Sequence, residues 1–230
     1  MLTDEQIKIL YEAVRGYNYP ARLYDFEQKQ EIMFETMREL ENYLRKKLLS
    51  KKPLEIKFGL ANVVYWGNLT AGYCWRRVQK FLDEITLEQI RKATTLFSKI
   101  EGDGLLEIKK LSLPQFSNMS FSSKLRMFLD PCNYVALDRK LLKLKKSKIK
   151  TFFHFIKEYP TYIPITKQNC ELYHFWSKLC RETAKTYFKN ANVIAVDIER
   201  GIFHLVDQCE VDTAVMLVKS MAEIISDSTL

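Results

Sequence analysis

The chain has 230 residues, 47% hydrophobic and 28% charged, with 7 Gly and 6 Pro. This is the composition of a folded chain, and too poor in turn formers for an all-β or dinucleotide-binding sheet protein. A net charge of +8 points to a polyanionic partner, nucleic acid before an anionic membrane. Five widely spaced cysteines (Cys74, Cys132, Cys170, Cys180, Cys209) without a CxxC argue against a zinc site or a disulfide framework.

In chain order, Thr3 and Asp4 cap a first helix that runs to about Arg15, with Ile7, Leu10, Tyr11 and Val14 on one face. The segment 16–24 (GYNYPARLY) breaks it. Ile32, Met33, Met37, Leu40 and Leu44, spaced by threes and fours, then predict one long helix over 25–49. Residues 61–82 are helical again, interrupted near Gly67-Asn68 and Gly72. Thr86 with Glu88 and Gln89 opens a helix that closes at Gly102-Asp103-Gly104.

A short helix over 105–111 leads into the irregular stretch 112–119. Residues 120–129 form a helix stopped by Asp130-Pro131. Residues 133–137 read as extended, and Asp138 stands as the N-cap of a basic helix over 139–150, which carries seven cations and no acid. After a loop over 159–167, helices are expected near 168–190, 194–207 and 212–226. There is no internal repeat, Gly-rich phosphate loop or HExxH.

Two residues stand out chemically. Lys124 is placed in the first turn of a short apolar helix, where the helix dipole disfavours a cation; that field with partial burial favours the neutral, nucleophilic amine. The helix rises only ~1.5 Å per residue, whereas the extended residues after Pro131 reach ~3.3 Å each. The chain can therefore fold back and bring the Asp138 carboxylate beside the start of the helix carrying Lys124.

A hairpin, a lysine opening a helix and an aspartate capping the next helix resemble the helix-hairpin-helix DNA glycosylase superfamily. Within it the likeness is to the 8-oxoguanine glycosylase-like bacterial and archaeal branch, which includes glycosylases of modified phage DNA. The segment 195–203 (AVDIERGIF) is similar to a C-terminal helix motif of that branch, and the likeness spans about residues 60–206, most specific over 119–144. The resemblance implies an all-α, two-lobed fold over 1–230, with a helix-hairpin-helix-like element at about 105–130. It implies Lys124 as the nucleophile at the sugar C1′ and Asp138 as the carboxylate that activates it and stabilises an oxocarbenium-like transition state. A Lys Schiff base would add lyase activity. The sequence departs from the family where a tight Leu-Pro-Gly-aliphatic-Gly turn is usual: Leu113-Pro114 continues as Gln115-Phe116-Ser117-Asn118-Met119, without glycine.

Ser117, Asn118 and Ser120, with the start of their helix, are the substitutes expected to hold a DNA phosphate, joined by Arg139, Lys140 and Lys143 of the basic helix. Trp66, Asn68 and Trp75 are the expected base pocket, by stacking and edge recognition; aromatic core packing is their competing reading. His154, His174 and His204 are read as structural; Asp197 and Glu199 are read as helix-N-terminal or ion-pairing residues, with framing of the pocket as the alternative. The whole describes a cytoplasmic monomer that excises a flipped base from double-stranded DNA, in repair or antiviral defence, with no metal, cofactor or membrane. The competing reading is a non-enzymatic helical DNA- or RNA-binding or regulatory protein; an amphipathic membrane-surface helix is too short to persuade.

Overall fold

The computed structural model describes residues 1–227, and the chain divides into two compact units. The terminal unit joins Met1–Asn18 to Pro131–Leu230, and Tyr19–Asp130 is inserted between them in chain order. Ten α-helices account for most of the described structure, as the low glycine content led one to expect.

In the inserted unit the expected 25–49 helix is a correction. Its first part is a β-hairpin, β1 (Arg22–Asp25) antiparallel to β2 (Gln30–Met33), and only Met37–Leu48 (α2) is helical. The hairpin turns without glycine: Lys29 takes φ 56°, and the Asp25 carboxylate accepts from the Glu27 and Gln28 amides. Thr36 then caps α2 by accepting from the Glu39 amide.

The next helix, α3 (Pro53–Trp66), is buried on nearly every side from Gly59 to Trp66, which makes it the central helix of this unit. Asn62 ties it to the hairpin, accepting from the Tyr24 amide at 2.8 Å and donating to the Tyr24 carbonyl at 3.0 Å. Around α3 pack α2, α4 (Cys74–Glu84), α5 (Leu87–Phe97) and α7 (Met119–Leu129), while α6 (Leu105–Lys110) packs against α5 and α7. The Thr86–Gln89 capping box forms as expected, though α5 stops at Phe97, short of the glycines.

The terminal unit is built on α1 (Asp4–Gly16), α8 (Lys167–Tyr187), α9 (Ala195–Asp207) and α10 (Val211–Asp227). Thr3 caps α1 through a capping box with Gln6. Gly201 lets α1 and α9 approach: a methyl group there would lie 2.9 Å from Val14 Cγ2 and 3.2 Å from Leu10 Cδ1. The basic segment is a second correction, because Arg139–Lys146 forms a 3₁₀ helix rather than an α-helix over 139–150. Leu141 and Leu144, three positions apart and so on one face of a three-residue repeat, are both buried, with Leu142 beside them. Among the described residues no helix is long and apolar enough to cross a membrane.

Candidate functional site

The helix carrying Lys124 is fixed at its start. Asn118 caps it, its side-chain oxygen accepting from the Phe121 amide at 3.2 Å. The preceding loop closes onto it through the Ser122 hydroxyl, which donates to the Phe116 carbonyl at 2.7 Å. The left-handed conformations in this loop fall on Ser112 (φ 51°) and Gln115 (φ 70°), neither of them glycine.

Lys124 lies in the second turn of α7, not the first, so the helix-dipole argument does not apply to it. It is buried instead, 7% exposed, one of two buried cationic residues on α7. Its amine donates to the Ser120 carbonyl at 3.4 Å and stands 5.6 Å from the centre of the Phe121 ring. The Arg77 guanidinium lies 6.0 Å from the same ring and reaches Gln115 Oε1 at 3.4 Å. Two cationic side chains thus share one aromatic ring. Sequence reasoning missed Phe121, Arg77 and Gln115; the three-residue spacing of Phe121 and Lys124 on one helix was the available signal for the first. The other buried cation of α7, Arg126, has a structural task, holding the Gly102 carbonyl with two N–H groups at 3.0 and 3.2 Å.

Asp138 stands in the terminal unit. It is half-buried and caps the 3₁₀ helix as expected, its Oδ1 accepting from the Lys140 amide at 3.0 Å. The residues leading to it, Tyr134–Leu137, are buried, and α8 grips their backbone: Tyr173 Oη donates to the Val135 carbonyl at 3.0 Å and Trp176 Nε1 to the Ala136 carbonyl at 3.2 Å. The position of this carboxylate in its unit is therefore fixed from both sides. Lys124 belongs to the inserted unit.

The residues expected to hold phosphate differ among themselves. Ser117 is exposed, whereas Asn118 is engaged as the α7 cap and Ser120 offers its carbonyl to Lys124. Arg139 donates to the Pro160 carbonyl at 2.6 Å; Lys140 pairs with Asp207 at 2.6 Å and lies 5.2 Å from the Phe203 ring centre. Lys143 is half-buried.

Trp66 and Asn68, expected to line a base pocket, are instead packed into the inserted unit. Trp66 is 4% exposed, edge-on to Tyr19 and Phe128, and the Asn68 amide donates to the Val64 carbonyl at 2.7 Å. Trp75 is 51% exposed and, with Arg22, Glu31, Tyr65 and Cys74, lines a cavity of about 240 Å³. That is below the ~300–1,000 Å³ of ordinary small-molecule pockets, so at most one ring system would fit. Burial, then the hydrogen bond it donates to Glu31, pushes the Tyr65 hydroxyl well above the usual tyrosine range. Burial likewise pushes the Cys74 thiol up, and the Cys180 thiol well up with Glu199 adding to it, so neither is primed as a nucleophile.

Asp197 caps α9 by accepting from the Ile194 amide at 3.0 Å, and pairs with Arg200 at 3.5 Å. Among the described residues no three His, Cys, Asp or Glu side chains are grouped to hold a metal. No family model, curated protein or solved structure matches this chain.

Proposed function

We propose that this protein is a DNA glycosylase of the helix-hairpin-helix kind, in which Lys124 attacks the sugar of a flipped, damaged or modified nucleotide and Asp138 is the carboxylate partner. The observation that carries the reading is the enclosure of Lys124 in the middle of α7 at 7% exposure. Lysine is among the residues least often buried, and a buried lysine is a recurrent choice of nucleophile, which is what singles this position out. The helix–loop–helix of α6 and α7 is, on this reading, the helix-hairpin-helix element, with the 112–118 loop as its glycine-free hairpin.

The chemistry follows from the two groups. Breaking an N-glycosidic bond builds positive charge on the sugar, and a fixed carboxylate stabilises it, on the order of 10²–10³ in rate. Attack by the Lys124 amine at C1′ displaces the base. Opening of the sugar ring then gives a protonated Schiff base, from which β-elimination breaks the strand. The base must leave the duplex stack before any of this, so double-stranded DNA with an extrudable base is the substrate class.

Borohydride reduction during incubation with duplexes carrying 8-oxoguanine or hypermodified cytosine tests it. The expected result is a covalent protein–DNA adduct, abolished by Lys124→Gln, with base release slowed on the order of 10²-fold or more by Asp138→Asn. Full activity of both variants on every substrate the wild type cleaves would overturn the assignment. Salt-sensitive binding with no abasic product from any duplex would favour a non-enzymatic nucleic-acid-binding protein.

A further inference from the structure

In the terminal unit an exposed aromatic surface is tied to the cationic 3₁₀ helix. A second 3₁₀ turn, Phe152–Phe155, buries Phe153 against Trp176 but leaves Phe155 62% exposed. Residues 159–162 (YPTY) then form a turn closed by reciprocal backbone bonds. The Tyr159 N–H donates to the Tyr162 carbonyl at 2.8 Å, and the Tyr162 N–H to the Tyr159 carbonyl at 3.3 Å. This brings the two rings to 5.0 Å between centroids, 31° from parallel, with Tyr159 53% and Tyr162 40% exposed.

The turn is pinned to the basic segment. Arg139 donates to the Pro160 carbonyl at 2.6 Å, and the Lys145 amine donates to the Ile156 carbonyl at 3.1 Å and pairs with Glu158 at 2.7 Å. Lys143 and Lys146 lie on the same 3₁₀ helix, and Lys148 and Lys150 follow it, exposed. Apolar surface residues usually occur singly; a held pair of tyrosines beside a run of cations is a different arrangement.

We propose that the Tyr159–Tyr162 turn is a stacking platform for unpaired nucleotides, with bases lying on the tyrosine rings and the neighbouring lysines taking the adjoining phosphates. Aromatic rings beside cations are how single strands are bound without sequence preference, because every base has a stacking face. An anionic lipid surface fits less well: Leu141, Leu142 and Leu144, which would have to enter the acyl layer, are buried in the protein. The proposal does not rest on base excision and stands or falls without it.

The test is fluorescence anisotropy of the full chain with a labelled oligothymidylate, an abasic phosphodiester strand of equal length, and anionic phospholipid vesicles. Wild type is expected to bind the thymidylate on the order of tenfold more tightly than the abasic strand. A Tyr159→Ala/Tyr162→Ala variant, with helicity checked by circular dichroism, is expected to lose that preference but keep its abasic-strand affinity and salt slope. Tyr159→Phe/Tyr162→Phe is expected to retain it. Equal wild-type binding of the two strands, a preference that survives both alanines, or tyrosine-dependent binding to vesicles alone would overturn the proposal. If the alanine variant loses helicity, competition of free thymidine oligomers against wild type decides: the proposal requires thymidylate to displace the label better than the abasic strand does.

Discussion

Gly67 offers a direct test of how tightly the Lys124 surroundings are packed. It ends α3 in the ordinary right-handed conformation (φ −65°, ψ −10°), so a side chain there meets no backbone strain. A methyl group would, however, lie 2.7 Å from Phe121 Cε1 and 3.1 Å from the Val63 carbonyl oxygen. Carbon atoms prefer about 3.5 Å or more, so the Phe121 ring would have to yield by about 0.8 Å. The ring is 7% exposed and held edge-on to Phe116, so it cannot swing freely into solvent. Overpacking of this kind costs ~1–3 kcal/mol, against up to ~1 kcal/mol gained by replacing glycine near a helix end. Gly67→Ala is therefore expected to destabilise by about 1–2 kcal/mol, a fall of a few degrees in Tm by calorimetry or circular dichroism. Since Lys124 and Arg77 both stand over this ring, any borohydride trapping should fall as well. Gly72→Ala is the control, since a methyl there meets nothing within 4 Å. If Gly67→Ala proves as stable as Gly72→Ala, the packing argument around Phe121 is wrong.

Three further outcomes are expected. Asn118→Ala removes the α7 cap and should lower stability by about 1 kcal/mol in urea titration; no change would mean the cap is dispensable. Gly201→Ala sets a methyl 2.9 Å from Val14 Cγ2 and 3.3 Å from the Val14 amide nitrogen, and should destabilise by about 1 kcal/mol despite the better helix former; a raised urea midpoint would contradict this. Tyr65, whose hydroxyl is held protonated by burial and then by Glu31, contributes stability that is complete below about pH 10 and declines as pH rises toward its raised value. The stability gap between wild type and Tyr65→Phe should therefore narrow in alkaline urea titrations, and a gap that stays constant or widens would refute the assignment.

The elements that sequence periodicity located are those whose ends carry chemistry. The caps at Thr3, at Thr86 with Gln89, and at Asp138 were all legible, because an oxygen two or three residues ahead of free amides is a local signal. The hairpin was not. Ile32, Met33, Met37, Leu40 and Leu44 happen to share a helical spacing across a strand, a break and a helix, and the turn at Lys29 contains neither Gly nor Pro. Thr36 followed by Glu39 was the overlooked marker, since a capping residue in mid-pattern signals a new start. In the candidate site, the burial of Lys124 and the anchoring of the Asp138 segment by Tyr173 and Trp176 depend on residues distant in sequence, which no local pattern records. Trp66 was misplaced for the same reason: whether an aromatic ring faces a cavity or a core is decided by its neighbours, here Tyr19 and Phe128.

The order of the units along the chain bears on biosynthesis. Helix α1 emerges from the ribosome well before its packing partner α9, which begins only at Ala195, after the whole of Tyr19–Asp130 has been translated. At ~5–20 residues per second, the Leu10 and Val14 side chains wait on the order of ten seconds or longer for the Gly201 surface. The inserted segment can collapse on its own contacts meanwhile, so the arrival of α9, rather than the folding of that segment, sets when α1 is sheltered from aggregation and from chaperone capture.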